Sequence, residues 1–233
     1  MSFEYIDKNV AEVREKIDNA KKAAGREDEV MLLAAVKYAE PCEIEYLYRN
    51  AGITHVGENR VQQLLSHREA IDCEGLDFHF IGTLQTNKVK YIIDKVSMIH
   101  SLDSIKLARE IDKQAKKHGI VMDVLVEINS GAEESKSGVL PEELEEFCNE
   151  ISAFENINCR GFMTMAPKCE KKEEYCKYFQ KTYQQCLDIW QKRLHNIGEP
   201  ILSMGMSESF EAAIEEGADI VRIGRALFQE REK

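Results

Sequence analysis

Lys37 is the residue whose position most invites chemistry. It closes the apolar run VMLLAAV (30–36), which is short and continuously hydrophobic, as a strand covered on both faces must be. Side chains alternate along a strand, so Leu33, Ala35 and Lys37 share one face. Partial desolvation of a lysine favours the neutral amine, which attacks carbonyls to form a Schiff base; a strand-end lysine can equally extend its ammonium into water. Near the other end of the chain, SMGMSESFEAAIEEG (203–217) passes through Gly205 to Ser207 and then into an amphipathic helix. Ser207 is placed to N-cap that helix, whose first amides could bind phosphate. The run VRIGR (221–225) follows. There Gly224 permits close backbone approach, and Arg222 shares a strand face with Ile220 and Gly224. An inward arginine needs a partner, either a buried carboxylate or a ligand acceptor. Together these residues suit a phosphate-bearing carbonyl compound held on a lysine.

Positioning such groups requires strands whose ends converge, and eight apolar segments qualify: 30–36, 53–57, 78–82, 97–101, 121–129, 159–165, 200–205 and 218–224. Segments of helical composition separate them. Ahead of the first, Ile6, Val10, Val13, Ile17, Ala20 and Ala24 recur at steps of four and three, the repeat of one helix face. Gly52, Gly119 and Gly217 stand where a helix ends and a strand begins, a position that favours the left-handed conformation. Strict alternation of strand and helix predicts α/β architecture with right-handed crossovers. Eight such units predict a single-domain (β/α)8 barrel over residues 1–233 with an extra N-terminal helix; an open doubly wound sheet is the alternative. In a barrel the active site lies at the C-terminal strand ends, and the loops after strands seven and eight commonly bind phosphate. Other polar strand ends are Glu58, Asn59, Gln85, Ser101, Asp103 and Asn129, each of which could be a cap or turn residue. His79 lies within an apolar strand and suits a satisfied core histidine.

Thirty-one Lys and Arg against 42 Asp and Glu give a net charge of −11. An acidic surface repels phosphate backbones and anionic lipid, so neither nucleic acid nor a membrane is an expected partner. No apolar run approaches the length of a bilayer span, and the charged N-terminus lacks a signal-peptide core, which predicts a cytoplasmic protein. The seven cysteines contain no CxxC pair, as expected of reduced thiols. The six histidines show no compact ligand spacing, so no metal is expected. The charged stretch KCEKKEEYCK (168–177) reads as a solvated loop leading into a helix.

The segments THVGENRVQ (54–62), FHFIGTLQTNK (78–88), VEIN (126–129), EESKSG (133–138), GFMTM (161–165), LSMGMS (202–207) and VRIG (221–224) together resemble the pyridoxal phosphate homeostasis protein family, stand-alone relatives of the alanine racemase N-terminal barrel. The resemblance spans the first strand to the last. It implies that Lys37 carries pyridoxal 5'-phosphate as a Schiff base, that Ser203, Gly205, Ser207 and Gly224 surround the cofactor phosphate, and that Arg222 faces the pyridine nitrogen. An arginine there keeps the nitrogen unprotonated and weakens the ring as an electron sink. Asn59, His79 and Met163 match family positions near the ring, and Lys136 matches a family lysine. The chain departs from the family pattern at Ala34–Val36, where a hydroxyl normally precedes the lysine. It departs again at Glu208, where aspartate is usual, and at Arg225 and Gln229, which replace small residues.

The resemblance implies a protein of vitamin B6 homeostasis that sequesters the cofactor and contacts pyridoxal phosphate-dependent apo-enzymes transiently, with little or no catalysis of its own; a monomer is expected. An amino-acid racemase is the first alternative. It needs an acid/base group on the opposite ring face, which alanine racemases take from an additional domain. The second is a cofactor-free, aldolase-type barrel forming a Schiff base with a sugar phosphate on Lys37.

Overall fold

Eight parallel strands, each followed by helical structure, make up the computed structural model, which describes residues 3–131, 137–193 and 200–230. The strands are β1 (Met31–Ala35), β2 (His55–Glu58), β3 (Asp77–Phe80), β4 (Met98–Leu102), β5 (Met122–Ile128), β6 (Ile157–Thr164), β7 (Ile201–Ser203) and β8 (Ile220–Ile223). Each pairs with the next, and β1 pairs in parallel with β8 through Met31↔Ile220 to Ala34↔Ile223, closing the barrel. The open-sheet alternative is thereby excluded. All eight segments expected from sequence are present, with ends shifted by at most two residues in either direction.

Alternation along the strands sorts two cores. Outward residues, among them Ala34, Val56, Phe78, Phe80, Ile99, Val124, Phe162 and Val221, pack against the helices. Inward residues fill the barrel in two smaller groups, Leu33 with Ile81 and Ile220, and Met98 with Leu125 and Met163. Between β5 and β6 the register slips by one residue at Arg160, because Val124 faces Cys159 while Leu125 faces Gly161. Such a bulge resets which side chains point inward. Gly161, at φ +146°, is where that backbone comes closest to β7: a Cβ there would lie 2.1 Å from the Ile201 carbonyl oxygen.

The outer layer comprises α1 (Glu4–Ala23), α2 (Pro41–Arg49), α3 (Val61–Ala70), α4 (Val89–Ile92), α5 (Ile105–His118), α6 (Leu144–Ile151), α7 (Lys172–Arg193), α8 (Phe210–Glu215) and α9 (Arg225–Phe228). Its boundaries follow local chemistry. In α5, Ser104 accepts the Leu107 amide at the start, and Gly119 ends the helix at φ +65°, the left-handed C-cap that glycine adopts without a Cβ clash. α1 buries Ile6, Val10, Val13, Ile17 and Ala20 against α8 and α9. The periodic pattern overshoots by one residue: Ala24 is the exposed C-cap, outside the packed face. All seven cysteines are free, and burial pushes the Cys159 thiol up to about 11. Among the described residues no helix is long and apolar enough to cross a membrane.

Candidate functional site

The inward face of β1 leads from Leu33 and Ala35 up to Lys37, as alternation predicts. The Val36 amide donates to the Gly57 carbonyl (3.1 Å) and Gln63 Nε2 to the Lys37 carbonyl (2.7 Å), so β2 and α3 hold the backbone at the lysine. Lys37 lines a cavity of about 660 Å³ at the C-terminal mouth of the barrel, together with Ala35, Asn59, Ile81, Ser207, Arg222 and Gly224. That volume suits a small cofactor. Tyr38, Met165 and Met206 stand exposed around the rim.

Arg222 projects inward from β8 and is 5% exposed. Its Nη1 donates to the carbonyl and the hydroxyl of Ser203 (2.7 Å each), and its Nη2 to the Thr164 carbonyl (2.9 Å). A guanidinium has five N–H groups, so among the described residues these three bonds leave Nε–H and one Nη2–H for the cavity. Burial lowers the Arg222 pKa to about 10, opposed by the nearby Glu127 carboxylate, so the group stays cationic at neutral pH. Among the described residues neither of the two partners expected from sequence bonds the arginine directly; neutral protein oxygens hold it in place. Glu127 contributes at longer range.

Beneath Arg222 runs a chain of buried polar side chains. Ser203 Oγ lies 3.1 Å from His100 Nδ1, and His100 Nε2 lies 2.9 Å from His79 Nδ1. His100 is fully enclosed, and desolvation, followed by His79 and Arg222, keeps it neutral far below the ordinary histidine range. His100 can therefore pass one hydrogen bond along the chain without carrying charge into the barrel.

The loops after β7 and β8 meet at the rim of the cavity, beside β1. Ser207 is not the N-cap expected from sequence. Residues 207–209 form a turn in which the Ser209 and Phe210 amides both donate to the Met206 carbonyl, so the helix begins three residues later and Ser209 takes the cap position. Ser207 Oγ instead accepts the Ala226 amide at the start of α9 (3.4 Å). Gly224 lets β8 approach β1, since a Cβ there would lie 2.9 Å from the Ala35 carbonyl oxygen. Gly205, at φ +91°, admits α8: a Cβ there would lie 2.6 Å from that of Ala213. Two of the departures from the family pattern join here, because Arg225 Nη1 and Glu208 Oε1 pair at 2.7 Å across the rim.

Of the residues singled out from sequence, Lys37, Asn59, Ser207, Arg222 and Gly224 share the cavity lining. His79, Met163, Ser203 and Gly205 do not border it; they lie beneath or behind it as buried support. Lys136 falls outside the described residues. Ile81 and Met165, which sequence reasoning missed, line the cavity, and each lies two positions after a residue that was named, one step further along the same strand face. His100 was missed as well, although alternation places it on the inward face with Met98.

The family of alanine racemase N-terminal domains matches residues 9–232. A pyridoxal phosphate homeostasis protein of Aquifex aeolicus is 46% identical over 222 residues, covering 95% of this chain and 96% of its own. A relative of the same name from Helicobacter pylori is 37% identical over 219 residues, 92% of this chain and 94% of its own. Among solved structures, PipY of Synechococcus elongatus PCC7942 with pyridoxal phosphate bound superposes with a TM-score of 0.83 at 28% identity, covering 96% of this chain and all of PipY. The chain belongs to the pyridoxal phosphate homeostasis protein family, within the wider family of alanine racemase N-terminal domains.

Proposed function

We propose that this protein binds pyridoxal 5'-phosphate through Lys37 and serves intracellular homeostasis of that cofactor, holding it without substantial amino-acid catalysis. The observation that carries this reading is one cavity lined by a strand-end lysine and by a buried arginine that keeps two N–H groups uncommitted among the described residues. A cationic, already anchored donor in such a place suits a heteroaromatic nitrogen or another anionic or neutral acceptor. The relatives' names and the cofactor-bound neighbour supply the matching ligand.

The residues present fit that cofactor. Lys37 Nζ is the amine for its aldehyde, Arg222 the donor for its ring nitrogen, and Ser207 with the turn at Gly224 the cradle for its phosphate. Asn59 borders the ring site. His79, Met163, Ser203 and Gly205 act from below: Ser203 orients Arg222, His79 braces Ser203 through His100, and Met163 and Gly205 fix the floor and the β7 loop. When bound, the cofactor supplies an electrophilic aldehyde conjugated to an electron-withdrawing ring. Arg222 stays protonated and offers that ring a hydrogen bond without transferring a proton, which limits its pull on electrons. The whole chain 1–233 acts as one cytoplasmic, monomeric unit that passes cofactor to apo-enzymes in transient encounters.

Borohydride reduction of the protein with pyridoxal phosphate, followed by peptide mass mapping, tests the assignment. A single adduct on Lys37, absent from Lys37→Ala, is expected. An unmodified Lys37 would overturn it, whereas rapid exchange of an amino acid's α-proton with solvent would replace homeostasis with racemase-type catalysis.

A further inference from the structure

At the opposite, N-terminal mouth of the barrel, His55 and Asp77 open strands β2 and β3 and are register partners, and His79 follows two residues along the same inward face. Asp77 Oδ2 lies 3.8 Å from His55 Nε2 and 3.5 Å from His79 Nε2, and the three donor atoms lie within 4.8 Å of one another. Both contacts to the carboxylate exceed the 2.7–3.2 Å of a well-formed N–H···O hydrogen bond. Zinc–nitrogen and zinc–oxygen bonds of about 2.0–2.1 Å in a tetrahedron set adjacent ligand atoms about 3.3 Å apart. To enclose an ion, the contacts to the carboxylate must close by about 0.5 Å or less and the two imidazole nitrogens, within 4.8 Å of one another, by up to about 1.5 Å.

We propose that His55, Asp77 and His79 form a binding site for a divalent transition-metal ion of the zinc class, with a fourth position open to solvent. Two imidazoles and one carboxylate are the donor set such ions select. The other nitrogen of each ring is already engaged: His55 Nδ1 with Thr54 Oγ1 (2.9 Å) and His79 Nδ1 with His100 Nε2 (2.9 Å). Ligating histidines generally have this outer support, which fixes the tautomer and aims Nε2 at the metal. The His55 and Asp77 side chains are about one-third exposed (32% and 36%) while His79 is buried at 3%, so an ion could enter from solvent onto a rigid inner ligand. An ion on His79 Nε2 would set that ring's Nδ1–H toward His100, whose own Nδ1–H would then point to Ser203 below Arg222. The spacing of the histidines in sequence gave no sign of this, because the ligands come from two strands 22 residues apart.

Titration of the full chain with Zn²⁺ by calorimetry, and with Co²⁺ by absorption, tests the site. One ion per chain is expected, with cobalt ligand-field bands and no thiolate-to-metal charge transfer. His55→Ala and Asp77→Asn should each abolish the stoichiometric site; both positions are partly exposed, so neither change hollows the core. Thr54→Val should weaken binding about tenfold through lost support of His55. Absence of a stoichiometric ion in the unaltered protein, a thiolate band, or undiminished binding in both ligand variants would overturn the proposal. Reduction of the Lys37 adduct in the same variants reads the cofactor site separately.

Discussion

Glu127 shows how a single buried group tunes the environment of the cavity. It points into the barrel from β5, 3% exposed, and accepts a hydrogen bond from the Ser137 hydroxyl at 3.4 Å. Desolvation, reinforced by Asp103 and opposed by Arg222, raises its pKa from 4.5 to about 7. The folded chain thus retains a proton that the unfolded chain releases. The stabilisation is complete below about pH 4.5 and is lost as pH rises through about 7. The shift corresponds to at most about 3 kcal/mol. Glu127→Gln should match the parent protein in thermal stability near pH 4.5 and exceed it at pH 8, where the parent must carry a buried charge. Parallel melting-temperature curves for the two proteins across this range would remove Glu127 from the account.

At the scale of elements, the site depends on loops pressed against strand ends. Gly82, in the loop after β3, lies so close to Asn59 that a Cβ would approach its carbonyl oxygen to 2.3 Å. The obstacle is backbone, which cannot swing aside as a flexible side chain can. Gly82→Ala should therefore displace Asn59 from the cavity wall, cost about 1–3 kcal/mol, and reduce the yield of the Lys37 adduct at limiting cofactor. Full adduct yield with unchanged stability would show that the loop gives way freely. The strands themselves were legible because they are short, largely apolar runs, several of them ending in a polar residue, and alternation then placed Leu33, Ala35, Lys37 and Arg222 correctly. Depth along the strand was less legible. His79 and Met163 could be assigned to the inward face, but whether they border the cavity or lie below it depends on strand stagger, which only the closed register fixes. The start of α8 was misjudged for a local reason: three residues after Met206 are used in a turn, and both Ser207 and Ser209 have the chemistry of a cap.

For the whole molecule, the decisive constraint is that among the described residues only the four-residue α9 follows β8 at the β8–β1 seam. α1 takes that place in the outer layer, packed against α8 and α9, so the N-terminal segment completes the eighth unit in space although it comes first in sequence. Its link to α9 is specific. Asn9 is 3% exposed and its Nδ2 donates to the Leu227 (3.0 Å) and Gln229 (3.1 Å) carbonyls, tying α1 to the segment that begins at Gly224 and Arg225 on the cavity rim. Asn9→Ala would leave the buried end of α9 with unpaired carbonyls, a loss of about 2 kcal/mol, or roughly 4–8 °C in melting temperature for a chain of this size. Because α9 also positions Gly224 against Ala35 and supplies the amide that meets Ser207, the same substitution should accelerate cofactor loss from the unreduced complex. Faster release together with a lower melting temperature would establish that α1 secures the phosphate side of the cavity. Destabilisation with an unchanged release rate would confine its role to closing the barrel.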